Sequence, residues 1–246
     1  MVPNLDIMVP NGGASSGGSS LVVGTTTVAN GTSGYVLTDN NGVLGNEPAP
    51  GLIPAVSDMT WYVATTGSDS NPGTIGSPFL TLQHAVAVVA GYDWKELYNP
   101  TVQVADGTYT TAGTACVIPI LTGMNLATNQ LSILGNTTTP ANVVLSMTGG
   151  GSSGFVQNDL NGNTFIDGFY IRCNGGSGIG LFVTGGTVIY GGLTFDLGTN
   201  GRPFVVQDAA VLDTPANGKT IEIIGTQILI FCVAGNGPNS QASFNG

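Results

Sequence analysis

Residues 61–91 read WYVATTGSDSNPGTIGSPFLTLQHAVAVVAG, and this stretch decides the fold of the chain. Residues 61–64 are largely aromatic and β-branched, which predicts a strand, and the Gly-, Ser-, Asp- and Pro-rich run after them predicts a tight loop. Ser77 before Pro78 predicts a helix start, because serine caps helices and proline is favoured at the first helical position. Apolar residues then recur at helical spacing up to a glycine: Leu82, Ala85, Val86, Val89 and Gly91.

The chain beyond residue 100 holds short apolar runs separated by Gly, Asn, Thr and Pro. They predict strands over residues 101–105, 131–134, 143–147, 164–173, 181–184, 187–190, 193–197, 204–207, 220–224 and 227–233. Such spacing admits a sandwich, a barrel or a solenoid. An isoleucine that runs into a glycine recurs at Ile133 and Gly135, Ile166 and Gly168, Ile189 and Gly191, and Ile223 and Gly225. This repeat favours an all-β solenoid, a parallel β-helix with the one helix as its cap.

The amino-acid composition excludes some classes of binding partner. The 246 residues include 39 glycines but only 4 Lys and Arg against 14 Asp and Glu, a formal charge of −10. Phosphate backbones and anionic membranes would be repelled, so we expect no nucleic-acid binding. A surface of Thr, Ser, Asn and Gly suits neutral glycans or other copies of the chain. Cys116, Cys173 and Cys232 lie far apart, which predicts reduced, buried thiols, and no motif predicts a cofactor or a metal.

The N-terminal part divides into two predicted segments. Residues 1–20 have linker composition and are expected to form a flexible arm. Residues 21–58 are expected to form a small β-rich segment, with a hairpin at Asn41 and Gly42 and a boundary near residue 58. No membrane-length apolar run and no secretory signal are visible, so we expect no membrane insertion and synthesis in a cytoplasm. The glycine- and asparagine-rich residues 235–241 carry no evident closing cap, so this end is expected to dock on something or to continue into a longer polypeptide.

The stretch that opens this section resembles a known family. Residues 61–69, 72–74 and 77–83 with Ala85 and Val86 are similar to the entry segment of pectin-lyase-like right-handed β-helix proteins, and residues 104–109 resemble the first-coil segment that follows it. The resemblance implies a right-handed parallel β-helix over residues 59–246. It also implies an N-terminal cap at residues 61–91, with Trp61, Asp69, Pro78, Leu82 and Val86 as its main residues.

A second resemblance lies upstream. Residues 23–28 and 31–45 are similar to segments near the start of tail and fibre proteins of tailed bacteriophages. The resemblance implies a homotrimeric tail fibre, tailspike or adaptor subunit that is made in the host cytoplasm and located in the virion. Residues 1–58 would dock on other tail proteins, and a solenoid shaft would meet the host surface, whose glycans are candidate partners. The residues expected to form the docking segment are Val22, Tyr35, Leu37, Val43 and Leu44.

The alternative hypothesis is that residues on one face of the solenoid catalyse the cleavage of a glycan. A glycan depolymerase needs carboxylates, or carboxylate-bound calcium with a base. The candidate acids and bases are Asp159, Asp167, Asp196, Asp208, Asp213, Arg172, Arg202 and Lys219. Asp167 and Asp196 occupy polar slots of alternating strands and could share a lateral face, although solvated or turn carboxylates are the default interpretation. Tyr170 and Tyr190 are candidates for a glycan-facing ladder. A secreted adhesin is a third hypothesis, which the missing signal weakens.

Overall fold

The computed structural model describes residues 52–125, 127–158, 162–207, 210–212 and 221–224 with their side chains, and Asp213 and the remaining strand segments by backbone alone. The chain divides into two compact units, Met1–Pro50 and Gly51–Gly246. The predicted arm at residues 1–20 lies outside the described residues, as do the glycine-rich residues 235–240.

The first unit contains two pairs of antiparallel strands. They are β1 (Leu21–Val23), β2 (Thr26–Val28), β3 (Tyr35–Asn40) and β4 (Val43–Pro48). Asn40 lies opposite Val43, which confirms the hairpin predicted at Asn41 and Gly42. The predicted docking residues belong to β1, β3 and β4, and their side chains lie outside the described residues.

Nearly all regular elements in the described part of the second unit are strands. In chain order it contains β5 (Ile53–Pro54), β6 (Met59–Val63), α1 (Leu82–Val89), β7 (Tyr92–Asp93), β8 (Pro100–Val104), β9 (Gly107–Thr111), β10 (Cys116–Ile118), β11 (Leu131–Leu134), a 3₁₀ helix (Pro140–Asn142), β12 (Val143–Met147), β13 (Ser153–Gln157), β14 (Asn163–Asp167), β15 (Phe169–Cys173), β16 (Ile179–Val183), β17 (Thr187–Tyr190), β18 (Leu193–Asp196), β19 (Arg202–Val206), β20 (Val211–Asp213), β21 (Ile221–Ile223), β22 (Phe231–Cys232) and β23 (Gln241–Ala242). No helix in this described part of the chain is long and apolar enough to span a membrane.

From β8 onward, consecutive strands belong in turn to three parallel sheets. Sheet I contains β6, β8, β11, β14, β17, β20 and β23, sheet II contains β9, β12, β15, β18 and β21, and sheet III contains β10, β13, β16, β19 and β22. From β8 onward each strand pairs with the strand three positions later in the chain. The all-β prediction is therefore confirmed, and the parallel order is compatible with a solenoid whose coils each give one strand to every sheet.

Rows of apolar side chains stack in register in the interior. In sheet I the row is Trp61, Val102, Ile133, Ile166 and Tyr190, none more than 6% exposed. In sheet II the row is Tyr109, Leu145, Ile171, Phe195 and Ile223, and in sheet III it is Cys116, Phe155, Leu181 and Phe204. Because alternate residues of a strand face opposite sides, each row fixes which residues lie outside. The thiols of Cys116 and Cys173 are free and buried.

The cap contains a shorter helix than the sequence predicts. Helix α1 begins after Thr81, whose hydroxyl accepts the His84 N–H, and not at Ser77 and Pro78. The segment before it is extended, because Phe79 donates its N–H to the Tyr62 carbonyl and accepts the Ala64 N–H. The apolar spacing is confirmed, since Leu82, Ala85, Val86 and Val89 are all buried.

Asp69 fixes this start of the helix. Its Oδ1 accepts the backbone N–H groups of Leu80 and Thr81, both at 2.9 Å, and its Oδ2 accepts the Thr81 hydroxyl at 2.8 Å. Partial burial opposes ionisation of the carboxyl, but the hydrogen bonds from Thr81 and Leu80 and the charge of His84 outweigh it and lower the pKa of Asp69. The Asp69 carboxylate thus joins the loop to the helix cap.

The predicted isoleucine–glycine repeat holds at one corner only. Gly135, Gly168 and Gly191 follow β11, β14 and β17 of sheet I, where Gly135 donates to the Asp167 carbonyl and Gly191 to the Ile166 carbonyl. The third pair of the predicted repeat, Ile189 with Gly191, is shifted by one residue, so that Tyr190 and not Ile189 lies opposite Ile166. The predicted fourth pair, which begins at Ile223, does not belong to this repeat, because Ile223 lies in β21 of sheet II.

Gly168 divides the predicted strand over residues 164–173 into β14 and β15. Its φ is 83°, and a Cβ atom there would lie 2.6 Å from the Asn136 carbonyl carbon. Gly176 has the same backbone conformation, φ 84°, but an added Cβ would meet no atom within 4 Å. Alanine at position 176 would therefore suffer backbone strain alone, whereas alanine at position 168 would suffer the same strain and a steric clash.

We expect Gly168→Ala to destabilise the chain more than Gly176→Ala. Both variants place alanine in the left-handed region, which costs roughly 1–2 kcal/mol. Only Gly168→Ala also forces two coils apart, which adds about 1–3 kcal/mol of overpacking. Urea unfolding followed by circular dichroism measures both. Equal losses of stability in the two variants would contradict close stacking of the coils at this corner.

A candidate polar face on sheet II

The outer side of sheet II brings several predicted site residues together. Tyr170 and Arg172 project from β15, Thr194 and Asp196 from β18, and Glu222 from β21, at positions that alternate with the interior row. We call these five residues the polar face. Tyr170 lies opposite Thr194, which lies opposite Glu222, and Arg172 lies opposite Asp196.

Hydrogen bonds connect the members of the polar face in pairs. The Tyr170 hydroxyl donates to Asp196 Oδ2 at 3.1 Å, and the Thr194 hydroxyl donates to Glu222 Oε2 at 3.3 Å. Arg172 donates from one terminal nitrogen to the Ser146 hydroxyl at 3.3 Å, while its buried Nε makes no hydrogen bond within the described part of the chain. The guanidinium thus retains donor capacity beside the two carboxylates.

The phenol of Tyr170 is held in its neutral form. Burial of the hydroxyl, the hydrogen bond to Asp196 and the Asp196 charge raise the pKa of Tyr170, with a further contribution from Glu222 and opposition from Arg172. At neutral pH Tyr170 is therefore a hydrogen-bond donor whose ring stands partly exposed on the sheet.

The two carboxylates of the polar face are diagonal neighbours. Asp196 lies two residues beyond Thr194, the register partner of Glu222. Strand spacing and rise place such Cα atoms about 8 Å apart. The face thus places two carboxylates beside a phenol and a guanidinium, a set of groups that can hydrogen-bond sugar hydroxyls.

Asp167 does not belong to this face, which corrects the predicted pairing with Asp196. It ends β14 of sheet I, is 3% exposed, and accepts the Gly192 N–H at 2.6 Å. Its carboxylate also fills the space beside Gly191, where a Cβ would lie 2.3 Å from Asp167 Cγ. Asp167 is a corner residue that joins two coils, because glycines at positions 191 and 192 leave room for it.

Tyr190 also differs from the prediction. It is 1% exposed, and its ring lies 4.9 Å from that of Phe204 in the interior. The aromatic ladder predicted from Tyr170 and Tyr190 is therefore wrong, because the one-residue shift at β17 directs Tyr190 inward.

The remaining candidates lie elsewhere. Arg202 begins β19 of sheet III, not sheet II. The side chains of Asp159, Asp208, Asp213 and Lys219 lie outside the described residues. Within the described ranges no three His, Cys, Asp or Glu side chains form a group that could hold a metal ion. Glu222 was missed, although its place between Ile221 and Ile223 marks an outward slot in a predicted strand.

We expect the pKa of Tyr170 to fall in the variant Asp196→Asn. The substitution removes a negative charge beside the phenol, so the phenolate becomes easier to form. The measurement is NMR titration of ¹³Cζ-labelled tyrosine, with the Tyr170 signal assigned by Tyr170→Phe and Glu96→Gln as a distant control. An unchanged Tyr170 titration in Asp196→Asn would show that the two side chains do not interact in solution.

Comparison with known proteins adds no relative. No known protein-family model, curated protein or solved structure matches the chain. The polar face and the cap must therefore be interpreted from their own geometry and chemistry.

Proposed function

We propose that this chain is a structural subunit of a bacteriophage tail, a fibre, tailspike or adaptor, in which residues 1–58 dock on the virion and a right-handed parallel β-helix projects toward the host. One observation carries the proposal. Strands enter three parallel sheets in strict rotation behind a cap formed by the stretch that resembles pectin-lyase-like proteins. Right-handed winding agrees with the strong preference for right-handed parallel crossovers.

The interior of the second unit supports a mechanical role. Apolar rows run through successive coils of all three sheets, and aromatic rings connect them, as between Phe155 and Phe169 at 5.3 Å and Phe195 and Phe204 at 5.2 Å. Continuous packing of neighbouring coils makes a solenoid stiff along its axis. A stiff shaft that carries little charge suits the task of holding a recognition surface at a distance.

Assembly as a homotrimer is part of the proposal. The described strands of the first unit form two-stranded sheets, which are marginal in isolation. Partner subunits would supply the missing apolar surface, and mass action would then stabilise the assembled state. In this proposal Val22, Tyr35, Leu37, Val43 and Leu44 provide the contacts with other copies and with neighbouring tail proteins.

We expect the double variant Leu37→Asp with Val43→Asp to be lost from tail particles. Charges in an apolar contact would remain without partners, so incorporation should fall at least tenfold. Particles assembled with wild-type or variant chain supplied in trans are purified, and the chain is quantified by mass spectrometry and located by immunogold labelling. Tyr170→Phe is the control and should be incorporated normally. If purified particles lack even the wild-type chain, the proposed function is wrong.

The polar face favours a second candidate, a depolymerase of a bacterial surface polysaccharide. Asp196 and Glu222 are its acid and base candidates, because they are diagonal neighbours on an exposed sheet. Tyr170 and Arg172 would hydrogen-bond the sugar beside them. A subunit of the tail could carry this activity as well, so the two candidates are compatible.

If the chain is a depolymerase, Asp196→Asn and Glu222→Gln should each lower polysaccharide cleavage by about 100-fold or more, since each removes one acid–base group. The assay follows release of new sugar ends from capsular polysaccharide of host bacteria. Glu96→Gln, which removes a carboxylate at the cap, should leave cleavage unchanged. Absence of cleavage by the wild-type chain, or full cleavage by both face variants, would exclude this candidate.

A further inference from the structure

The cap closes two of the three sheet edges with hydrogen bonds. At the edge of sheet I, the Tyr62 N–H donates to the Gly73 carbonyl at 2.8 Å and the Tyr62 carbonyl accepts the Phe79 N–H at 2.9 Å. At the edge of sheet III, the side-chain amide of Gln83 takes the place of a missing strand. Its Oε1 accepts the Val117 N–H at 2.7 Å and its Nε2 donates to the Val117 carbonyl at 3.0 Å.

The third edge, strand β9 of sheet II, has no such cover among the described residues. Strand β9 pairs with β12 on one side, and the Thr111 carbonyl points to that side because it accepts the Thr148 N–H. Backbone groups of a strand alternate in direction, so those of Thr108 and Thr110 point to the other side. No hydrogen bond joins them to any described residue there. Such an unpaired edge is a template for another strand.

A groove of about 470 Å³ lies along this open edge. Residues 108–111 form one wall, and Leu80–Gln83 form the opposite wall at the start of α1. Leu80, Leu82, Ala115 and Leu145 supply apolar surface, and the remaining lining is made of threonines, Gln83 and Tyr109. Burial, followed by the charge of Asp106, raises the pKa of Tyr109 to about 12, so no lining side chain is charged at neutral pH.

We propose that the open edge of β9 and this groove bind an extended peptide segment of a partner protein by strand addition, and that the segment is uncharged where its side chains enter the groove. The backbone groups of Thr108 and Thr110 match a strand in kind and spacing. A charged side chain would lose its hydration against a lining of uncharged side chains, which selects an uncharged segment.

A single inserted strand of a partner protein fits this groove better than strand β9 of a second copy of this chain. Strand β9 faces α1 across the groove, so the groove is occupied on its far side by this chain's own cap. Two β9 edges could approach each other only if both caps moved. The inference is independent of the proposed function, since any partner with a suitable extended segment would serve.

Proline substitutions test the edge without disturbing the sheet. Thr108→Pro with Thr110→Pro removes the two N–H groups that face the groove and leaves Gly107, Tyr109 and Thr111 to pair with β12. Proline is tolerated on edge strands when its nitrogen faces away from the ladder. Thr108→Val with Thr110→Val is the matched control, because it keeps both N–H groups and a similar side-chain shape.

The probe is a displayed library of random twelve-residue peptides selected on the full-length chain, followed by affinity measurement with the selected peptides made synthetically. We expect peptides that are uncharged at alternate positions. Their affinity should fall at least tenfold in the double proline variant and should be unchanged in the double valine variant. Circular dichroism and thermal unfolding confirm that both variants keep the wild-type fold.

Three results would overturn the proposal. The first is a library that yields no peptide above background, and the second is a set of peptides that the double proline variant binds as well as the wild type. The third is self-association of the wild-type chain that the prolines abolish, measured by sedimentation, which would make a second copy the occupant. Peptides that carry charges at the positions entering the groove would refute the uncharged-segment part of the proposal.

Discussion

The backbone of every strand in the three sheets must find its hydrogen-bond partners one coil away, and the rest of the structure depends on this requirement. Inside the stack the next coil supplies them, because each strand pairs with the third strand along the chain. At the cap no such coil exists. Sheet I is closed by the extended segment around Phe79 and sheet III by Gln83, whose amide carries both a donor and an acceptor and can therefore replace a peptide group.

Register in the sheets then determines where polar chemistry can occur. The inward rows are apolar, and polar groups that lie inside are paired only in part. The Thr164 hydroxyl donates to Gln157 Oε1 at 3.1 Å, whereas Gln157 Nε2 and Asn163 Oδ1 have no hydrogen-bond partner within the described part of the chain. Asp167 is accommodated at a corner because Gly191 leaves space for it and Gly192 donates to it. The outward rows accept charge, and the polar face arises where three consecutive coils of sheet II each place a polar residue outside.

Much of this organisation could be predicted from the sequence, and the failures have identifiable causes. Apolar runs such as residues 131–134 and 143–147 predicted their strands at the correct bounds, and the buried face of α1 followed from its spacing. Strand β9 was missed, since its sequence of threonines, a glycine and one tyrosine offers no apolar run, and its pairing with β12 supplies the stability. The helix start was placed too early because Pro78 is equally suited to an extended segment, and that segment pairs with β6. Tyr190 was misassigned because a shift of one residue reverses the side on which a side chain lies, and Asp167 because it ends β14 at a corner of sheet I and not on a lateral face.

Sheet II carries two surfaces with opposite chemistry, and their separation along the stack has a physical reason. The groove beside β9 is lined by uncharged side chains and contains a strand edge that no described residue pairs with, so a ligand there gains mainly from backbone hydrogen bonds. The polar face offers side chains, and two of its three strands, β15 and β18, are paired on both sides within the sheet. A ligand that lacks a peptide backbone can therefore be recognised on the polar face, whereas an extended peptide is best recognised at the edge. Arg172, Asp196 and Glu222 lie together on this surface, where recognition depends mainly on side chains.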